Sequence, residues 1–252
     1  MGCYALTASF TGMNKIKVIA FDADDTLWVN EPYFQETEKK FCDMMEDYLP
    51  HHSVSRELLE TEINNLKLYG YGIKSMTLSM IESAIQMSDK TIGLEVIEKI
   101  IQFGKEMLDK PIELLDGVEE VLQALQGKYR LVMATKGDLL DQERKLLKSG
   151  LAEYFHHIEI VSEKKEPNYE KLIQHLDIPP KEFLMIGNSL KSDIMPVLNL
   201  GGHAFHVPYH TTWAYEKVDH TIDHPQFKQL TNIREVPQYL SSSKSSGLET
   251  KD

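Results

Sequence analysis

Residues 17–28 read KVIAFDADDTLW. The stretch from Lys17 to Asp22 is a short continuous apolar run closed by a carboxylate, the pattern of a strand buried on both faces of a parallel sheet. The same pattern recurs three times. Residues 130–135 read RLVMAT, residues 158–161 read IEIV before Ser162, and residues 183–187 read FLMIG before Asn188. Residues 203–207, HAFHV, add a further strand. Between these runs the apolar spacing becomes helical: Val118, Val121, Leu122 and Leu125 fall at i, i+3, i+4 and i+7, and Tyr169, Leu172, Ile173 and Leu176 repeat that interval. Alternating strand and helix argue for an α/β fold, a Rossmann-like doubly wound parallel sheet. Ligands of such sheets bind beyond the carboxyl ends of the strands, so the residues that close the four runs should meet in one crevice.

Residues 33–110 have a different texture. They contain no short buried-strand run but four helix-like stripes: Phe41 to Tyr48, Leu58 to Leu66, Met76 to Met87 and Ile92 to Leu108. Pro50 and the Tyr69-Gly70-Tyr71-Gly72 segment interrupt them. This predicts a helical unit over 33–110, inserted into a core made of 15–32 and 111–240. Residues 1–14 are expected to be a loose leader, with Met13 an alternative start, and residues 241–252 a disordered polar tail.

The 252 residues are 42% hydrophobic and 26% charged, an ordinary globular composition. A net charge of −12 repels phosphate backbones and anionic lipid alike, so neither a nucleic acid nor a membrane is expected as partner. Cys3 and Cys42 have no CxxC spacing and form no framework, which suits a reducing cytoplasm. No apolar stretch reaches the ~20 residues that would span a bilayer.

Asp22 and Asp24 stand two apart at a buried strand end, followed by Thr26. Paired carboxylates there suit a hard divalent cation, and they also suit nucleophilic and acid/base roles. Thr135 closes the second run, where its hydroxyl could donate to a phosphoryl oxygen, although a Thr before a helix also serves as an N-cap. Lys164 and Lys165 follow the third run, and either could neutralise a bound phosphate. Residues 187–193, GNSLKSD, place Asn188 and Asp193 five apart after the fourth run, able to complete an Mg²⁺ shell.

This ordered set resembles the haloacid dehalogenase superfamily, from about Lys15 to Trp213. The resemblance implies Asp22 as nucleophile, Asp24 as general acid/base, and Thr135 with a lysine as holders of the transferring phosphoryl group. It implies Mg²⁺ on the Asp22 carboxylate, the Asp24 carbonyl and an acid of the fourth motif, and it makes 33–110 a helical C1 cap. Two departures stand out. The usual Gly-Asp of the fourth motif is Gly187-Asn188, which makes Asp193 the first choice for the acidic ligand and Asn188 a neutral ligand or neighbour. The lysine is either of an adjacent pair, Lys164 preferred and Lys165 second.

The implied activity is Mg²⁺-dependent hydrolysis of a small phosphate ester through an aspartyl-phosphate, in the cytoplasm. Dehalogenase, phosphomutase or phosphonatase chemistry, and a non-catalytic binding protein on the same fold, are the alternatives. Substrate contacts are expected from Thr26 and Lys165 and, in the inserted unit, from Tyr71 and Lys74, whose plainer reading is an interhelix turn with an exposed lysine. His51-His52 and His156-His157 lack zinc spacing and read as surface residues. His210 and Trp213 read as packing, Trp28 as a residue at the joint between core and cap, and the methionines of 76–107 as cap core.

Overall fold

The computed structural model describes residues 13–218 and 221–241. Its centre is β1 (Val18–Phe21), flanked in parallel by β2 (Arg130–Lys136) and β4 (Phe183–Gly187), with Phe21 opposite Met133 on one side and Ile186 on the other. The strands β3 (His157–Val161), β5 (His203–His206) and β6 (Phe227–Gln229) complete a six-stranded sheet ordered β3-β2-β1-β4-β5-β6. All its pairs are parallel. The expected doubly wound α/β core is therefore what forms.

The continuous apolar runs are explained by burial on both faces. Val18 and Ala20 pack with Tyr169, Leu172 and Phe183, while Ile19 and Phe21 pack with Val118, Leu122 and Met133 on the opposite side. Every residue of β1 is wholly inaccessible, so a polar residue at any of its four positions would lose hydration on either face. Helices α5 (Val118–Leu125), α6 (Leu139–Ser149), α7 (Glu166–His175), α8 (Met195–Asn199) and α9 (Val236–Ser241) belong to this core. The strand β6 escaped the sequence reading, because three edge residues, two half-buried and one exposed, carry no periodic signal.

Four helices interrupt the chain after β1: α1 (Glu31–Met44), α2 (His51–Tyr69), α3 (Ile73–Met87) and α4 (Leu94–Asp109). They enclose a separate apolar cluster containing Phe41, Leu58, Met76, Met80, Ile100 and Met107, so the methionines pack as expected. Helices α3 and α4 approach closely at Gly104, where a Cβ would stand 2.4 Å from Thr77 Oγ1. The chain leaves and re-enters the core side by side: Val29 N–H donates to Glu113 O at 2.9 Å and Leu115 N–H donates to Leu27 O at 2.9 Å.

Asp25 sets the entry to α1. It adopts a left-handed φ of 60°, and its carboxylate accepts the Asn30 N–H at 2.9 Å and the Glu31 N–H at 3.0 Å, satisfying donors that a helix start leaves free. The leader ends sooner than expected. Met13 is 2% exposed and packs in the main core, so it belongs to the folded body; residues 1–12 of the expected leader and 242–252 of the expected tail lie outside the described residues. Among the described residues no helix is long and apolar enough to cross a membrane.

Candidate active site

The sheet order reverses about β1, and the loops after β1, β2, β3 and β4 open onto one cavity of about 170 Å³ between the sheet and the four-helix unit. Asp22, Asp24, Thr135, Lys164, Asn188, Asp193 and Tyr71 all line it. Sequence reasoning thus brought together residues as far apart as 22 and 193.

Lys164 is the centre of the arrangement. Its ammonium donates to Asp22 Oδ1 and, at 2.7 Å, to Asp193 Oδ1, and all three side chains are buried. Burial and the neighbouring Asp193 charge push the Asp22 carboxyl up to about 7, against the pull of Lys164. Burial alone would lower the Lys164 ammonium, but Asp193 and Asp22 outweigh it and hold it well above the ordinary lysine value. Lys165, the second candidate, takes no part: it immediately precedes α7, its side chain is 64% exposed, and its ammonium lies 3.4 Å from Glu163. Adjacent residues on an extended segment point to opposite sides, so only one of the pair can enter the crevice.

Asp193 is fixed by backbone geometry. A wide helical turn over Leu190–Ile194 brings the N–H groups of both Asp193 and Ile194 onto Ser189 O. Asp193 Oδ2 accepts the Ser189 N–H at 3.0 Å and lies against Gly187, where an added Cβ would stand 2.2 Å from it. The glycine of Gly187-Asn188 is therefore required by close approach.

Asp24 occupies a different environment. Its Oδ1 accepts Lys145 Nζ at 2.9 Å and the Trp28 indole N–H at 2.7 Å, and its Oδ2 accepts the Gln142 amide at 2.8 Å. Burial alone would raise its pKa, but Lys145 and these donors outweigh it and hold Asp24 below the ordinary carboxylate value. Trp28, expected at the joint, is wholly buried in the core and orients this acid. Sequence reasoning missed Lys145 and Gln142. The sequence does not mark them: α6 buries Asp141, Gln142, Lys145 and Leu146 while Leu139, Leu140 and Leu147 face solvent, the reverse of what its leucines suggest.

Thr135 is 1% exposed, and among the described residues its hydroxyl has only a 3.5 Å contact with Lys136 O. Thr26, expected to touch substrate, instead lies behind the nucleophile, its hydroxyl 3.4 Å from Asp22 Oδ2 and 3.3 Å from Asn188 Oδ1, and it does not line the cavity. Lys74 is also absent from the cavity wall; half exposed, it pairs with Asp138 at 2.8 Å, as its plainer reading held. Tyr71 does line the wall, donating to Glu163 at 3.0 Å and meeting Trp213 edge to face at 6.1 Å. Trp213 is thus cavity lining as well as packing. It belongs to the β5–β6 connection, whose Glu216 accepts Lys136 Nζ, Ser189 Oγ at 2.6 Å and Ser192 Oγ at 2.7 Å. His210 packs on Tyr209, and His157 pairs with Glu159 at 2.9 Å, outside the site.

The residues fit a hard cation. One terminal atom of the Asn188 amide stands 3.1 Å from Asp22 Oδ2 and 3.3 Å from Asp24 O. With nitrogen there the amide donates to both; with oxygen there, three oxygens face one another with no proton between them, a donor set suited to Mg²⁺. Among the described residues no three His, Cys, Asp or Glu side chains gather as a metal cage. A site of two carboxylates, an amide and a carbonyl matches an ion that keeps several waters.

The model of the haloacid dehalogenase-like hydrolases matches residues 16–201. The chain belongs to that family. A haloacid dehalogenase-like hydrolase from Xanthomonas campestris is 36% identical and superposes with a TM-score of 0.81, over 92% of this chain and 95% of that one. N-acylneuraminate-9-phosphatase of Mus musculus is 24% identical over 256 residues, 92% of this chain and 96% of its own length. Glyceraldehyde 3-phosphate phosphatase of Pyrococcus furiosus is 25% identical over 240 residues, 90% and 93% respectively. The enzyme class expected from the motifs is the class that both curated relatives carry in their names.

Proposed function

We propose that this haloacid dehalogenase-like hydrolase cleaves phosphate monoesters of small soluble metabolites through an aspartyl-phosphate on Asp22, in the cytoplasm, with the four-helix unit as its C1 cap. The observation that carries the reading is the Asp22–Lys164–Asp193 cluster on the floor of a cavity with Thr135 and Asn188 beside it. Asp22 attacks phosphorus in line, and the ester oxygen leaves with a proton from Asp24. Water then attacks the acyl phosphate and gives its proton to Asp24, releasing inorganic phosphate and restoring the Asp22 carboxylate. Lys164 and Thr135 donate to the phosphoryl oxygens as charge redistributes. Asp22, Asp193, Asn188 and the Asp24 carbonyl would hold Mg²⁺, which supplies charge neutralisation at the phosphoryl group when bound.

The ionised Asp24 that Lys145, Gln142 and Trp28 maintain is the form the second half-reaction needs. The first half uses the protonated form, reached as the carboxyl turns from Lys145 toward the leaving oxygen. A dehalogenase releases a halide that needs no proton, which leaves so elaborate a setting for Asp24 without purpose. The test is the initial rate on p-nitrophenyl phosphate, with and without Mg²⁺, for wild type and Asp22→Asn. Turnover that needs both Mg²⁺ and Asp22 is expected. An Asp22→Asn protein that keeps the wild-type rate overturns the assignment.

A further inference from the structure

The cavity has a second end, away from Asp22, and its chemistry is of one kind. Glu31 and Glu38 project into it from α1 and Glu62 from α2. The lysines that share the cavity are already committed: Lys164 to Asp22 and Asp193, Lys145 to Asp24 at 2.9 Å, and Lys136 to Glu216. Among the described residues no lysine, arginine or histidine forms an ion pair with any of the three glutamates. Ser55 donates to Glu38 at 2.5 Å and Gln35 bonds to Glu31, but neither brings a charge. Burial, with the neighbouring carboxylates, pushes Glu31 and Glu62 each up to about 8.

A second observation is independent of these acids. Gln142 is 3% exposed and lines the same cavity; its amide nitrogen donates to Asp24 and to Lys136 O, while its Oε1 has no partner among the described residues. A buried amide oxygen without a donor is costly unless a bound molecule supplies one. Among the described residues the cavity thus holds three carboxyl groups that no cation meets, beside the apolar surface of Phe34, Leu66 and Met76, and one amide oxygen that no donor meets. A neutral polyol would leave Glu31 and Glu62 in their protonated forms, whereas a cation supplies the counter-charge that lets the grouped carboxyls ionise together. Three such side chains grouped to share a metal ion are not found among the described residues.

We propose that the leaving group of the substrate carries a protonated amine, bound by Glu31, Glu38 and Glu62 with Gln142 Oε1 as a further acceptor. The substrate class is then a phosphate monoester of an amino alcohol or amino sugar, the phosphate on Lys164 and the ammonium at the opposite wall. This rests on the phosphatase reading for the position of the phosphate but not for the cationic pocket.

The experiment measures binding of aminobutyl phosphate and hydroxybutyl phosphate, a matched pair differing in charge, to the full-length Asp22→Asn protein by calorimetry. It is repeated on Asp22→Asn carrying Glu62→Gln and on Asp22→Asn carrying Glu38→Gln, two isosteric changes of which either suffices if the other fails to fold. The amine should bind at least about tenfold tighter, since one charge-assisted hydrogen bond contributes a decade of affinity. That ratio should fall several-fold in each added variant. Equal or tighter binding of the hydroxyl compound, failure of both to bind, or a preference that both variants retain overturns the proposal. Loss of p-nitrophenyl phosphate turnover in wild type with the amine preference intact would remove the phosphatase reading and leave the cationic pocket standing.

Discussion

At the sheet end of the cavity every carboxylate is met by a cation or by a set of donors, whereas at the helical end the glutamates meet only one another and neutral groups. Asp22 and Asp193 share Lys164, Asp24 has Lys145, and Glu216 has Lys136. Glu31 and Glu62 are held largely protonated near neutrality because no cation opposes their burial. The contrast separates two tasks. A group common to all phosphate esters can be met by a preorganised, internally neutralised site, while a variable leaving group is met by valences left open until it arrives. The division also follows the topology, since the first set lies at strand ends and the second on inserted helices.

The sharpest way to break this comparison is to remove the cation that neutralises the sheet end. Lys164→Ala leaves Asp22 and Asp193 buried together, and breaking such a pair costs about 3–5 kcal/mol of stability, with about a thousandfold loss of phosphatase rate from the missing charge at the phosphoryl group. Lys165→Ala, one residue away and exposed, should change stability by no more than about 0.5 kcal/mol. Urea unfolding and Mg²⁺-dependent rates of the two variants decide it, and similar losses in both would remove the distinction between the neighbours.

A smaller effect is expected from Gly187→Ala. The new methyl would stand 2.2 Å from Asp193 Oδ2 and 2.7 Å from its Cβ, so the side chain must shift. Overpacking of this kind costs about 1–3 kcal/mol, and a displacement of about an ångström in a catalytic group costs about a hundredfold in rate. The rate should fall more than the thermal midpoint; an unchanged rate with reduced stability would show that Asp193 position is not what the glycine protects.

Much of the sheet end could be read from the sequence because strand ends are marked there: apolar runs stop abruptly at Asp22, Thr135 and Asn188, and topology does the rest. The preference for Lys164 over Lys165 rests on the resemblance alone, since the residues themselves do not say which way a loop side chain points. The retreat of Thr26 behind Asp22 and the pairing of Lys74 with Asp138 could not be read there, since they depend on three-dimensional neighbours. Lys145 and Gln142 lie on a helix that buries them while three of its four leucines face water, so an amphipathic reading of the sequence puts them on the solvent side. The glutamates of α1 and α2 carried no mark either, because acidic residues on helices ordinarily lie on solvated faces.

The subtlest test concerns those glutamates and pH. Glu62 has an ordinary value of 4.5 and is raised to about 8 in the folded protein, so between these values the folded state binds a proton that the unfolded chain has released. Stability from this group is therefore fully present below about pH 4.5, falls as pH rises toward 8, and is level beyond it, with a slope of at most about 1.4 kcal/mol per pH unit for one proton. Other groups oppose this: His203 and His206 are lowered by burial, and the stability they contribute increases as pH rises toward the ordinary histidine value and is level above it. Comparison of wild type with Glu62→Gln cancels them. Relative to wild type, the variant should gain stability steadily from pH 5 to pH 8, read from urea midpoints at each pH, because it removes a carboxyl that becomes harder to keep buried as protons grow scarce. A constant difference across that range would mean that Glu62 is hydrated in the folded protein, and the helical end of the cavity would then be no less neutralised than the sheet end.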